Sequence, residues 1–445
     1  MRHAPIAPEL FIENRRRLRA LLPPGSLAIV NANDIPPTNA DGSLMPVANS
    51  DLFYLTGVEQ EESILVLAPD AHDEKMREIL FLRETSEHIA QWEGHKLTIE
   101  EAKQRTGIER VKWLAEFPNF FRMLMCECEQ VWLNSNEHRR AEDEVESRDA
   151  RFVRMCREKF PLHRYERLAR LLHRLRLEKS EHELALIRQA VEITADGFAR
   201  VAKRVKPGVN ECEIEAEFAH EFIRQRGRFA YTPIIASGKN ACVLHYVTND
   251  QPCKKGELLL LDVAAAYANY NADLTRVLPV SGRFSKRQKQ VYDAVLRVLR
   301  AGIAGLTPGK LPKDWQKESE AAMEEELLGL GLLKPRDIKK QNPDKPALKK
   351  YFPHGLGHPL GLDVHDVGTT GAPFAPGWVM TVEPGIYIPE EGIGVRLEND
   401  VLVTAGEPVD LMAHIPLETE EIEALMGGGK IPSSKLHAPN KRGKA

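Results

Sequence analysis

The stretch Tyr351-Phe-Pro-His354-Gly-Leu-Gly-His358-Pro-Leu-Gly-Leu-Asp-Val-His365 carries three of the chain's 15 histidines, with Gly355, Gly357 and Gly361 among them. Imidazole moves protons near neutral pH and is a common metal ligand. Glycine lets a backbone approach a neighbour closely. The stretch alone reads equally as the wall of a site or as a glycine-rich loop with solvated histidines. The rest of the chain decides between them.

Four acids supply the decision. In Glu257-Leu-Leu-Leu-Leu-Asp262 an apolar run delivers a carboxylate to the end of a buried strand. A lone buried carboxylate is costly, so Asp262 must be paired, protonated or bound to a cation. Eleven residues on, Asp273 precedes a second strand-like run, with a turn expected within 267–271. A hairpin would set the two carboxylates side by side, where they repel unless a cation lies between them. The apolar run 379–382 ends in Glu383-Pro384, and Glu398 stands among apolar neighbours in a strand expected over 394–403. Four carboxylates and one imidazole form an oxygen-rich ligand set that suits Mn²⁺ and related cations better than thiolate-seeking ones.

Composition narrows the class. The chain has 445 residues, 42% hydrophobic and 28% charged, which is ordinary for a globular protein of two or three domains. A net charge of −4 gives no sign of a nucleic-acid partner. No apolar run reaches the roughly 18 residues that cross a bilayer, so no membrane partner is expected. Arg15, Arg16 and Arg17 sit where a signal core would lie, which points to the cytoplasm. The six scattered cysteines read as free, mostly buried thiols in a reducing compartment.

Residues 1–175 read as an α/β domain, with strands expected at 26–30, 63–68, 78–82 and 131–133 and a helix at 98–105. Aromatic residues beside glycine in Asn49-Ser-Asp-Leu-Phe-Tyr-Leu-Thr-Gly57 and Gln91-Trp-Glu-Gly94 mark either a contact surface or packing. Residues 151–178 read as a helical connector. A second domain, 176–426, opens on a capping box, Ser180 with Glu183, followed by apolar residues at helical spacing from Leu184 to Val201. Asn210 with Glu213 starts another helix. About 105 residues later Ser285 with Gln288 repeats the plan, and a further helix is expected at 313–328. Two helices then strands, twice over, imply two similar halves around a shared site. Residues 334–350 read as a surface loop, and 427–445 as a disordered basic tail.

These motifs together resemble the metal-dependent peptidases of the pita-bread fold, and among them the Xaa-Pro aminopeptidases and related prolidases. The resemblance rests on Asn49–Gly57, Ser237–Tyr246, His354–His365, Thr381–Tyr387 and Arg396–Asp400. It implies an α/β N-terminal domain and an α+β catalytic domain with a pseudo-twofold repeat. It implies two divalent ions, Mn²⁺ first and Co²⁺ or Zn²⁺ as alternatives, held by Asp262, Asp273, His358, Glu383 and Glu398. Asp273 and Glu398 would bridge the ions, Asp262 would hold one, and His358 with Glu383 the other. Water activated there would attack the carbonyl before proline, with Glu383 as base. His245 and His365 match residues that stabilise the oxyanion or donate a proton. His354 and Arg396 match residues that orient substrate, and Tyr387 is a weaker candidate. The implied partners are peptides beginning Xaa-Pro and further copies of the chain, as a dimer or tetramer.

Two departures stand out: Ala264 and Ala272 replace glycines usual in the family, and either would be strained if its φ were positive. Two other functions compete. A prolidase would accept only Xaa-Pro dipeptides, and the N-terminal domain with Gln91–Gly94 disfavours it. A non-catalytic pita-bread binding module would lack the ligand set. Zincin, nucleophile-elbow and phosphate-loop motifs do not occur.

Overall fold

The computed structural model describes residues 3–141, 144–342, 344–369 and 371–429. Residues 430–445 of the expected basic tail lie outside them. The chain forms two compact units: one of Ala4–Leu177 with Val367–Thr369, the other of Glu178–Asp366 with Met1–His3 and Thr370–Ala445.

In the N-terminal unit the strands are β1 (Ser26–Asn31), β2 (Ile64–Leu67), β3 (Glu78–Leu82), β4 (Val111–Trp113), β5 (Gln130–Leu133) and β6 (Arg164–Arg167). They make one sheet in the order β4-β3-β2-β1-β5-β6. β1 runs antiparallel to β2 and parallel to β5. Every residue of β1 and β2 is buried, as a central strand covered on both faces requires. The helices are α1 (Pro8–Arg19), α2 (Ser50–Thr56), α3 (Glu87–Glu93), α4 (Ile99–Thr106), α5 (Phe117–Glu127), α6 (Arg148–Lys159) and α7 (Ala169–Leu177).

One open alternative is settled here and one expectation changes. The Asn49–Gly57 stretch is helix α2: Asn49 caps it, Gly57 closes it at φ 67°, and Phe53 and Tyr54 are buried, so packing explains its aromatics. The expected helical connector contains β6, whose exposed arginines and glutamate hid a half-exposed edge strand.

The second unit begins with paired helices α8 (Glu181–Ala202) and α9 (Glu211–Arg224), each opened by a formed capping box. Strands follow: β7 (Arg228–Phe229), β8 (Ile234–Ser237), β9 (Leu258–Asp262), β10 (Ala265–Tyr267), β11 (Tyr270–Asn271) and β12 (Thr275–Pro279). The second round has helices α10 (Lys286–Ala304), α11 (Pro312–Gly329) and the short α12 (Pro335–Lys339) within the expected surface loop. It continues with β13 (Val379–Val382), β14 (Gly385–Ile388), β15 (Ile393–Arg396), β16 (Asn399–Leu402) and β17 (Val409–Asp410), and ends on α13 (Thr419–Met426).

β9 pairs antiparallel with β12, Asp262 opposite Thr275. β10 and β11 form a hairpin between them, turning at Ala268 and Asn269, both with positive φ. β13 pairs with β16 and β14 with β15. The strand expected over 394–403 is therefore broken at Leu397-Glu398, where the chain changes partners. A bridge between Thr275 and Glu398 joins the first round of strands to the second.

Ala264 and Ala272 are buried and neither has a positive φ, so the expected strain is absent. All six cysteines are free, but only Cys156 and Cys253 are buried, so the thiols are less enclosed than expected.

Candidate active site

The acids gather where the two rounds of strands meet. Asp262 ends β9, Asp273 precedes β12, Glu383 follows β13 and Glu398 precedes β16. Asp262, Asp273 and Glu398 are buried. Lone-pair atoms of Asp273, His358 and Glu398 lie within 4.8 Å of one another. His358 Nε2 stands 3.5 Å from Asp273 Oδ2 and 3.6 Å from Glu383 Oε1.

The His354–His365 segment is held against β13. Thr381 N donates to His358 O, Glu383 N to Leu356 O, and His358 N to Thr381 Oγ1. A Cβ on Gly357 would collide with the Thr381 carbonyl, and one on Gly361 with the Asp366 carboxylate. Both glycines serve close approach. At Gly355 a Cβ would meet only Gln316 Oε1, at 3.8 Å, an ordinary contact.

The histidines divide by environment. His358 Nδ1 lies 3.0 Å from Pro359 O, a contact only an N–H can make, which leaves Nε2 as the ring nitrogen facing the acids. His354 places Nδ1 2.8 Å from Gly355 O and Nε2 2.8 Å from the Tyr387 hydroxyl. Burial, reinforced by the Arg396 charge, pushes His354 down to about 4, so its imidazole is neutral with the proton on Nδ1. His365 is exposed and meets His358 edge to face, ring centres 4.3 Å apart. His245 is exposed, and its charge also bears on His354.

Arg396 ties one wall together. Its Nη2 donates to Asp262 Oδ2 at 2.6 Å, its Nη1 to the Tyr387 hydroxyl at 2.8 Å and its Nε to Thr275 Oγ1 at 3.3 Å. Thr275 Oγ1 in turn donates to Glu398 Oε2 at 2.6 Å.

Three residues that the sequence reading passed over belong here. The Tyr231 hydroxyl lies 2.6 Å from Asp262 Oδ1 and 2.7 Å from Asp273 Oδ1. It has one proton for two carboxylates. Thr275 is the second. Asp400 is the third, fully buried, with Oδ2 accepting from Asp273 N. Tyr231 precedes the strand beside β9, and that placement was the only signal for it.

Crowding sets the electrostatics. Burial, with repulsion from neighbouring acids, raises Asp262, lifts Glu383 to about 7 and pushes Glu398 well above the carboxylate range. Burial opposes charge on His358, yet the Asp273 hydrogen bond and the Glu383 charge raise it. A cation among these lone pairs would relieve the repulsion. The donors are carboxylate oxygens and one imidazole oriented by a backbone carbonyl, which is how metal-bound histidines are supported. The residues present therefore fit hard or borderline divalent ions.

A separate cavity of about 720 Å³ in the N-terminal unit is lined by Asp34, Pro36, Val47, Glu146, Asp149 and Arg151, among others, and includes none of the predicted site residues.

The model of metallopeptidase family M24 matches residues 185–405, and that of the aminopeptidase P N-terminal domain matches 11–132. An Escherichia coli Xaa-Pro aminopeptidase is 34% identical over 95% of this chain and 98% of its own length. Human Xaa-Pro aminopeptidase 3 is 33% identical over 88% of this chain and 78% of its own. The structure of E. coli aminopeptidase P with the inhibitor Pro-Leu superposes with a TM-score of 0.86 at 32% identity, covering 96% of this chain and 99% of the other. A zinc-substituted form of that protein with product matches equally well.

Proposed function

Because the chain belongs to metallopeptidase family M24, matched along nearly its whole length by proteins named Xaa-Pro aminopeptidase, we propose that it releases the N-terminal residue from peptides with proline second. The observation that carries this reading is the convergence of Asp273, His358 and Glu398 lone pairs within 4.8 Å, with Glu383 and Asp262 beside them. Asp262, Asp273, His358, Glu383 and Glu398 would hold two divalent ions. The oxygen-rich set favours Mn²⁺. When bound, such ions polarise a carbonyl and acidify water.

The chain's own groups have distinct tasks. Glu383 stands between His358 and His354, its Oε2 4.0 Å from His354 Nδ1. It would take the proton of the attacking water and return it to the departing proline nitrogen. An amide nitrogen is a very poor leaving group as an anion, so it needs a proton before it can leave. The exposed imidazoles of His245 and His365 would donate to the carbonyl oxygen as it gains charge. The His354–Tyr387–Arg396–Asp262 chain of hydrogen bonds would form a fixed wall that orients the proline side. Six free cysteines suit a reducing cytoplasm. No helix among the described residues is long and apolar enough to cross a membrane.

The test supplies the purified protein with Mn²⁺ and compares an Xaa-Pro dipeptide with an Xaa-Pro-Xaa tripeptide. Release of the first residue from the tripeptide, lost on chelation, is expected. An intact tripeptide would contradict the reading, and cleavage of the dipeptide alone would make the enzyme a prolidase.

A further inference from the structure

One buried carboxylate outside the acid cluster is held without a cation. Glu211, the first residue of α9, is fully buried. Its Oε1 accepts from Ser237 N at 2.8 Å and Ser237 Oγ at 2.6 Å, and Asn240 Nδ2 lies at 3.5 Å. Its Oε2 accepts from the Tyr246 hydroxyl at 2.8 Å and Gln251 N at 3.0 Å. Burying a carboxylate is costly unless donors such as these satisfy its oxygens.

The donors share one segment. Ser237 ends β8, Gln251 lies on the way to β9, and the chain between them carries His245 next to Tyr246. The same turn of α9 takes further hold of the segment. Glu211 N donates to Gln251 O, Asn210 Nδ2 to Asp250 O, and Asn249 Nδ2 to Glu215 Oε2. Between these anchors Val243, His245 and Val247 are exposed. The segment is thus fixed at its ends and at Tyr246, one residue from the imidazole.

We propose that Glu211 is a positioning residue that presents His245 to the substrate carbonyl, acting through the Tyr246 hydroxyl and the Ser237 and Gln251 amides. The inference rests on the reading of His245 given under Proposed function. Glu211→Gln would turn an NH₂ group toward donors on one side, and Tyr246→Phe removes the 2.8 Å bond to Glu211 with the longer 3.5 Å contact to Asp250 Oδ1.

The test measures kcat, KM and bound Mn²⁺ for Glu211→Gln and Tyr246→Phe, each alone and combined with His245→Ala. Misplacing a reacting group lowers turnover steeply, so Glu211→Gln should cost roughly tenfold in kcat and Tyr246→Phe less. KM and metal content should stay near wild type, and both losses should vanish in the His245→Ala background. Losses that multiply with His245→Ala, or that follow metal loss, would overturn the proposal. A His245→Ala enzyme with wild-type kcat would instead remove the premise, and the positioning role with it. Tyr246→Phe carries the test should Glu211→Gln fail to fold.

Discussion

The N-terminal unit and the acid cluster of the second unit treat buried charge in opposite ways. In the N-terminal unit buried ions are partnered. Arg15 pairs with Glu78 and donates to Leu55 O and Thr106 O at 2.7 and 2.8 Å. Arg176 donates to Asp51, and Lys96 to Glu61. In the second unit Asp262, Asp273, Glu383 and Glu398 crowd together, with Arg396 and His358 paired against them. The paired charges tie helices and loops to a sheet. The like charges strain the fold where they meet, and such a breach of local rules marks a functional site.

Substitutions can break this contrast from either side. The largest effect is expected at Asp273. Asp273→Ala should lower tripeptide hydrolysis by more than roughly a thousandfold, because the lost ions supply several kcal/mol of charge stabilisation. Circular dichroism should show the fold retained. Arg15→Met attacks the other unit. It leaves two buried carbonyls without their donor and Glu78 with Arg19 alone, and should cost about 1–3 kcal/mol of stability by urea unfolding. Mn²⁺ affinity measured before the transition should not change.

Tyr231→Phe tests the hydroxyl shared by Asp262 and Asp273. Groups that orient metal ligands are worth about 10–100-fold in metal affinity, and a loss of that size is expected by calorimetric titration. An unchanged affinity would place Tyr231 outside the site's function.

The smallest effect concerns Asp149, the exception in the N-terminal unit. Burial lifts its carboxyl to about 7, although Asn31 donates to it at 2.8 Å. The folded chain therefore keeps this proton over a range in which the unfolded chain, titrating near 3.8, has lost it. Stability falls as pH rises from about 4 to 7. Asp149→Asn should remove that loss. Its unfolding free energy in urea should exceed wild type at pH 8 by about 1–3 kcal/mol, and the gain should fade toward pH 4.

Much of this was legible in the sequence because it is written in local patterns. Capping boxes at Ser180, Asn210 and Ser285 opened helices as read, and the 78–82 run became a strand with those bounds. Apolar runs ending in acids located Asp262 and Glu383 at strand ends. What stayed hidden depends on contacts distant in sequence. Tyr231 meets Asp262 and Asp273 across 31 and 42 residues. Leu397-Glu398 interrupts a run that looks continuous, because β15 and β16 choose different partners. β6 lacks the apolar alternation that strand reading needs, since it lies at the sheet's edge. Asn49–Gly57 could not be assigned to surface or core because its aromatics are as suited to packing as to contact.

The central claim is that the crowded acids are a cation site. Equilibrium dialysis of the full chain against Mn²⁺ tests it directly. The account predicts two ions per chain, with Asp273→Ala losing both or all but one and Arg15→Met retaining two. A wild-type chain that binds no Mn²⁺, or an Asp273→Ala chain that binds as many ions as wild type, would contradict it.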